Sequence, residues 1–364
     1  MKENSIEDFV RIIKATKYTP VTSAEDNDLS IRKDFMVNHY GVVIKMLKEK
    51  FPKYSLSLDI DSIFNKKVNG YDTICKFLFE ELKSIIPDEY TNILDNHIFL
   101  SSVETEDINA DIHKSYCNNF FAIFLNSSLI SLLSKVQKLT LAQINPGCVE
   151  FCNRISERKP NKEELSEMRK EYFKYFKENK LSYGPFLVLN KEMSIQYILQ
   201  LSLQEKFIFY HEIGHFLSGD LFEKDSEIKD FIFENEENIL YRKEYFADMI
   251  AFHLLLKSEK KESVSLSPKD RIRILITITA LFDVFHELQD KVSDTHPEPL
   301  KRLFCICDYF YGVEITEILA ESYSNKAELI KLFSVEEKII SREDLVEIII
   351  KELYKFAFNM ENWK

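Results

Sequence analysis

Glycine is scarce in this sequence, with seven residues in 364. That is about 2%, against roughly 7% in an average protein. Folds that rely on many tight turns, such as β-sandwiches, β-barrels and doubly wound nucleotide-binding domains, need more glycine than this. Helix is the element that remains favoured. Because apolar residues make up 45% of the chain, a full hydrophobic core is also expected.

Cysteine is also sparse, with six residues and no CxxC pair. Six cysteines are too few for a disulfide scaffold in a chain of this length. Cys148 and Cys152 lie four residues apart and would share one face of a helix, but a structural zinc there needs two more ligands. Buried free thiols in a reducing cytosol are the better interpretation.

Long apolar runs are absent. The most membrane-like stretch, residues 120–133, has 14 residues and contains Asn126 and three serines, whereas a spanning helix needs about 20 apolar residues. The first eight residues are charged and lack the apolar region of a signal peptide. We therefore expect a cytoplasmic protein without a membrane partner, and we predict that residues 120–133 belong to a buried helix.

Basic residues are fewer than acidic ones, 48 against 60, which gives a formal net charge of −12. No long basic run is present. An acidic chain does not attract nucleic acid with its whole surface, so a nucleic-acid partner is not expected.

The hydrophobic pattern predicts helices along most of the chain. The predicted ranges are 5–17, 34–50, 71–86, 118–138, 162–179, 195–217, 239–257, 268–290 and 297–312. Residues 183–185 break the pattern, and residues 186–189 are predicted as a short strand. We place a boundary near residue 181. It separates a helical N-terminal region (1–180) from a core (181–312), which a helical tail (313–364) follows.

The sequence His-Glu-Ile-Gly-His lies within one of these helices, between His211 and His215. Four residues of a helix turn about 400°, so both imidazoles project from one face and can bind one Zn²⁺. Glu212 lies about 100° away and can reach a water at the metal without being a ligand. Two surface histidines on an amphipathic helix are the alternative.

A catalytic zinc site needs a third protein ligand and an open position for water. Glu244 on the next predicted helix is the candidate ligand. Asp248, one turn later, can accept the Nδ1–H of a ligating histidine and fix its orientation. An ordinary solvated acidic face is the alternative, and Glu234, Glu236 and Glu237 are rival ligands.

A third motif is Thr-His-Pro, which ends at Pro297. Arg302 follows six residues after His296. His296 could donate a hydrogen bond to the oxyanion of a tetrahedral intermediate. Arg302 could hold a carboxylate or the substrate carbonyl. The alternatives are a histidine that only begins a helix and an arginine in a surface ion pair.

HExxH, then ExxAD, then THP with its following arginine together resemble the gluzincin metallopeptidases. The THP…R element is similar to the membrane-embedded HtpX-type family, and HExGH is shared with the ImmA/IrrE family. In overall character the chain resembles the soluble phage-exclusion peptidases of the Lit type. The resemblance covers about residues 186–311. It implies an α+β, mostly helical fold, with a gluzincin-like core that contains a small sheet.

The expected function is that of a zinc endopeptidase acting on a protein or peptide substrate. Zn²⁺ would be held by His211, His215 and Glu244, and Glu212 would act as general base. The strand at 186–189, if it lies at a sheet edge, could pair with an extended substrate. A protein partner that activates the enzyme is a further candidate. The alternative is a zinc-stabilised binding or regulatory module without activity, although such a module would not need Glu212.

Overall fold

The computed structural model describes residues 6–17, 70–103, 110–115, 120–155, 157–222, 232–260, 266–289, 293–324 and 343–359. Within these ranges the chain forms eleven α-helices and five β-strands, so the protein is α+β and mostly helical. The helices are α1 (Ile6–Lys17), α2 (Gly70–Ile85), α3 (Asp88–His97), α4 (Ser127–Ile144), α5 (Lys162–Asn179), α6 (Lys191–Ser218), α7 (Ile239–Glu259), α8 (Pro268–Leu288), α9 (Pro299–Tyr311), α10 (Val313–Ser324) and α11 (Glu343–Ala357). The strands are β1 (Ile98–Val103), β2 (Asp111–Lys114), β3 (Phe121–Asn126), β4 (Val149–Cys152) and β5 (Leu187–Leu189).

Most predicted helices form because their start signals make the expected hydrogen bonds. At α5, the Asn161 side chain accepts from the backbone N–H of Glu164, whose carboxylate accepts from the N–H of Asn161. At α8, Ser267 caps the first turn and proline follows it. The helix predicted for 195–217 is part of the single, longer α6. The helix predicted for 34–50 lies outside the described residues.

The single helix predicted for 118–138 is wrong. Its first part is the buried strand β3, and α4 begins at Ser127, after Asn126 accepts a hydrogen bond from the N–H of Ser128. A short, continuous apolar run is compatible with either a buried strand or a buried helix, so periodicity could not separate them.

The region 1–180 is therefore not purely helical. β3 is the central strand of a three-stranded sheet, with β1 parallel to it on one side and β2 antiparallel on the other. Every residue of β3 is buried. β2 has one hydrogen-bonded neighbour within the described part of the chain, which makes it an edge strand there.

The predicted strand at 186–189 is present as β5, which pairs antiparallel with β4 in a second, two-stranded sheet. Cys148 directly precedes β4 and Cys152 is its last residue, and both are buried free thiols. Their side chains belong to the main hydrophobic core. The same core includes residues from α2 through α11, so it runs across residue 181 without interruption.

α6 and α7 lie side by side at the centre of the protein and run antiparallel. Their direction follows from three contacts, because Lys206 pairs with Glu259, Gly214 touches Ala247, and His215 faces Glu244. The Lys206 side chain is buried and also forms an ion pair with Glu81 of α2. Among the described residues, no helix is long and apolar enough to cross a membrane.

Candidate metal centre

The candidate site forms where α6 and α7 approach most closely. A Cβ atom on Gly214 would lie 2.7 Å from the carbonyl oxygen of Ala247 and 2.8 Å from its Cα. Only a glycine fits at such a distance. This contact brings the His211–His215 face of α6 against the turn of α7 that carries Glu244.

Three side chains meet at this point. The Nε2 atoms of His211 and His215 lie 3.1 Å apart, and the two carboxylate oxygens of Glu244 lie 3.5 and 3.4 Å from them, respectively. Tetrahedral zinc with bonds of about 2.0–2.2 Å separates its ligand atoms by about 3.3–3.5 Å. The observed spacing therefore fits one metal ion. Among the described residues, this is the one group of histidine, cysteine and acidic side chains close enough to hold a metal.

Each histidine is oriented by a carboxylate on its other nitrogen. His211 Nδ1 lies 2.9 Å from Asp248, and His215 Nδ1 lies 2.8 Å from Asp220. A carboxylate accepts, so both Nδ1 atoms carry protons, and the Nε2 atom of each imidazole presents a lone pair whenever that ring is neutral. With both rings neutral, three acceptors face one another, an arrangement that a shared cation stabilises.

Asp220 is a site residue that the sequence analysis missed. α6 ends at Ser218, and Gly219 follows with φ 81°. This left-handed cap turns the chain back, so that Asp220 reaches the histidine one turn earlier. The signal was present as Gly-Asp directly after the helix, but it is visible only once the helix end is known.

Arg302 lines the same cleft as the candidate ligands and does not form the surface ion pair that was its alternative interpretation. Its side chain is largely buried, and its Nε and Nη2 atoms each donate to Asp248 at 2.7 Å. Its Nη1 lies 3.1 Å from Glu244 Oε2. That oxygen is buried and makes no hydrogen bond of good geometry, so a lone pair remains available to a metal.

The side chains that surround this point carry excess negative charge. With all four carboxylates ionised and both histidines neutral, four largely buried carboxylates contribute −4 and two basic side chains contribute +2, which leaves −2. The carboxylates are Glu212, Asp220, Glu244 and Asp248, and the basic residues are Arg302 and Lys243, which is 3.6 Å from Asp220. A divalent cation offsets this excess.

The pKa values of the two histidines respond to the same charges. Burial is the strongest influence on the pKa of His211 and lowers it, but Asp248 and Glu244 together outweigh burial and raise the pKa above its usual value. For His215, burial is opposed by Asp220 and Glu244, which hold the pKa well above its usual value. The site therefore attracts a positive charge, whether a proton or a metal ion.

Glu212 lies on α6 beside these ligands and is not one of them. Burial raises its pKa, against the opposing influence of the two histidines. It lines a cleft of about 420 Å³ together with all three candidate ligands, His296 and Arg302. Its carboxylate thus shares one open space with the position that a metal would occupy.

His296 reaches the same cleft from the loop before α9. Its Nε2 lies 3.6 Å from Glu244, and its Nδ1 lies 2.8 Å from the hydroxyl of Thr295. Burial lowers the pKa of His296, which favours the neutral ring. When the Thr295 hydroxyl donates to Nδ1, the ring proton lies on Nε2.

The structure does not bring the rival carboxylates into this group. Glu236 accepts a hydrogen bond from the N–H of Asn238, just before α7. Glu234 and Glu237 are also outside the cluster. The cleft is lined by Ala110, Asp111 and Ile112 at β2, and β5 does not contribute to it.

No family model matches this sequence, and comparisons with curated proteins and with solved structures give no match.

Proposed function

We propose that this protein is a zinc-dependent endopeptidase of the gluzincin type. The observation that carries the proposal is the meeting of three acceptor groups, from His211, His215 and Glu244, beside Glu212 in one cleft. Two imidazoles and one carboxylate are a ligand set of catalytic zinc sites that leave a fourth position open. Magnesium and calcium prefer oxygen ligands alone. The free thiols of the described cysteines agree with a cytoplasmic location.

Zinc bound there would lower the pKa of a water molecule and polarise a carbonyl group. Glu212 would take a proton from that water and deliver it to the leaving amine. Its burial suits this role, because a raised pKa brings the carboxyl closer to the pH at which it must both accept and donate.

His296 and β2 would act on the substrate. The Nε2–H of His296 can donate to the oxygen that becomes negative in the tetrahedral intermediate. Ala110, Asp111 and Ile112 lie at the edge of the three-stranded sheet and line the cleft. An extended peptide bound in the cleft would therefore run beside β2, whereas β5, the strand considered for this role from the sequence, does not line the cleft.

The test compares wild type with Glu212→Gln and His211→Ala, using zinc analysis and a peptide mixture prepared from a proteome. We expect about one zinc per chain in wild type and in Glu212→Gln. We expect a loss of turnover of at least ~10²-fold in Glu212→Gln, because glutamine cannot accept the proton. His211→Ala should lose the zinc. Normal cleavage by zinc-loaded Glu212→Gln would refute the mechanism.

Should wild type and Glu212→Gln both hold zinc and cleave nothing, the result would support the zinc-stabilised binding module instead. A chain that binds no zinc in any form would remove the basis of both functions. The three proteins together therefore separate metal binding from catalysis.

A further inference from the structure

We infer that the hydroxyl groups of Ser293 and Thr295 fix the tautomer of His296, so that its Nε2 carries the ring proton and faces the site as a hydrogen-bond donor. Both are positioning residues, because they act through His296. The effect on turnover rests on the proposed function, whereas the tautomer itself does not.

The Ser293 hydroxyl has both of its lone pairs occupied by the backbone. Its oxygen accepts the N–H of Thr295 at 3.2 Å and the N–H of His296 at 3.3 Å. A hydroxyl has two lone pairs and one proton. The proton is therefore what Ser293 offers to the hydroxyl oxygen of Thr295, which lies 2.8 Å away. The backbone of the loop thus sets the direction of this hydrogen bond.

The Thr295 hydroxyl passes the same direction on to the imidazole. It accepts the proton of Ser293, which leaves its own proton for His296 Nδ1, at 2.8 Å. A hydroxyl that accepts one hydrogen bond is a stronger donor in the next. A donor at Nδ1 requires a lone pair on that nitrogen, so the single proton of the neutral ring lies on Nε2.

The opposite side of the ring favours the same tautomer. His296 Nε2 lies 3.6 Å from a carboxylate oxygen of Glu244. A lone pair on Nε2 would face the negative charge of that oxygen, whereas an N–H is attracted to it. The groups on the two sides of the ring therefore agree on the position of the proton.

The two candidate metal ligands are held in the opposite tautomer. His211 Nδ1 lies 2.9 Å from Asp248, and His215 Nδ1 lies 2.8 Å from Asp220. These carboxylates keep the proton on Nδ1 and leave Nε2 for a metal. At His296 the same nitrogen meets a hydroxyl instead. With its proton on Nε2, this ring has no lone pair there for a metal and serves the cleft as a donor.

The loop that carries the two hydroxyls is tied to α7. Tyr241 donates to the carbonyl oxygen of Ser293 at 2.8 Å, and the side chain of Asn238 donates to that of Asp294 at 3.3 Å. Tyr241 lies three residues before Glu244 on α7. The loop and the carboxylate that faces Nε2 are thus fixed to the same helix.

The test reads the tautomer directly from the ¹⁵N NMR signals of protein labelled in its histidines. Spectra are recorded at about pH 8, where an ordinary histidine is neutral, with zinc and after zinc removal. The spectrum of His296→Asn identifies the signals of this ring by their loss. We expect the proton of His296 on Nε2 in both states.

Thr295→Val removes the hydroxyl and keeps the shape of the side chain. We expect the ratio of the Nε2–H to the Nδ1–H tautomer to fall about fivefold, the usual effect of losing one hydrogen bond. Thr295→Ser should retain the wild-type ratio. Thr316→Val is the control, because it also removes a hydroxyl that bonds a carbonyl, but on α10. In an active enzyme, Thr295→Val should lower kcat by a similar factor and leave KM and zinc affinity unchanged.

A proton on Nδ1 of His296 in wild type would overturn the inference, and so would equal tautomer ratios in wild type and Thr295→Val. Either result would leave zinc binding and cleavage by the protein unaffected. The expected tautomers in a protein without zinc or cleavage would refute the proposed function and retain the role of the hydroxyls. If circular dichroism shows that Thr295→Val disturbs folding, Ser293→Ala tests the preceding hydroxyl and should shift the ratio in the same direction.

Discussion

Replacing Gly214 by alanine tests whether the contact between α6 and α7 creates the metal site. A Cβ there would lie 2.8 Å from the Cα of Ala247. Carbon atoms rest at about 3.5 Å or more, so the two helices would have to separate by roughly 0.7 Å. Metal–ligand distances tolerate only about 0.2 Å. Glu244 lies one turn before Ala247 on α7, so it would move away from both histidines.

Two opposing effects act on stability in this variant. Alanine is favoured over glycine inside a helix by about 1 kcal/mol, whereas overpacking a tight contact costs about 1–3 kcal/mol. The clash involves backbone atoms of Ala247, which cannot turn aside as a flexible side chain can. We therefore expect the free energy of unfolding to fall by up to about 2 kcal/mol, and the affinity for zinc to change by a much larger proportion.

Urea unfolding and zinc titration measure the two effects separately. We expect the zinc dissociation constant of Gly214→Ala to rise at least tenfold. Gly147→Ala is the control, because a Cβ at that exposed position meets only the end of the Asn145 side chain. A Gly214→Ala protein that is about 1 kcal/mol more stable than wild type and binds zinc normally would show that the contact does not position Glu244.

Three further predictions concern groups around the site and in the core. Asp220→Asn should weaken zinc binding by about 10–100-fold, because Asp220 orients His215. Asp308→Asn, at an exposed position of α9, is the control and should bind zinc as wild type does. Equal zinc affinity in the two variants would show that Asp220 does not belong to the site. Arg302→Gln should lower the free energy of unfolding by about 3–5 kcal/mol, because it leaves buried Asp248 without its partner. A change in KM alone, with unchanged unfolding free energy and zinc affinity, would instead favour the substrate contact predicted from the sequence. Burial raises the pKa of Glu205 to about 8. The folded state therefore holds a proton that the unfolded state releases above pH ~4.3, and this contribution to stability is lost as the pH rises toward 8. In saturating zinc, wild type should lose more unfolding free energy than Glu205→Gln between pH 5 and 8, and parallel profiles would contradict this assignment.

The candidate ligands on α6 were predictable because their geometry is local. A spacing of four residues in a helix fixes the relative position of His211 and His215 wherever that helix lies. The third candidate ligand, Glu244, was a choice among four acidic residues, and only its position on α7 distinguishes it. The close contact between Gly214 and Ala247 fixes that position, but the sequence of a helix does not show which backbone its glycine touches.

The sequence failed where a residue's role depends on distant parts of the chain. The ion pair between Arg302 and Asp248, 54 residues apart, cannot be read from either residue alone. The strand β3 was taken for helix because its apolar run contains no polar alternation, since both of its faces are buried. β2 was not predicted as a strand because it is short and carries two charged residues.

The arrangement of charges gives a physical reason to favour a metal over an ordinary polar network. In a network without a metal, each buried acceptor must face a donor. Here Asp220 and Asp248 already use the Nδ1 protons of the two histidines, and Arg302 is engaged with Asp248. The remaining acceptors, two Nε2 atoms and a carboxylate, have no proton to share among themselves while both imidazoles are neutral. Protonating one histidine supplies a single donor, which the other Nε2 atom, 3.1 Å away, and the Glu244 carboxylate must share, and protonating both places two cationic rings at that distance. A single divalent ion satisfies all three acceptors and also offsets the charge of −2. The carboxylates that orient the two histidines therefore also favour a bound metal ion.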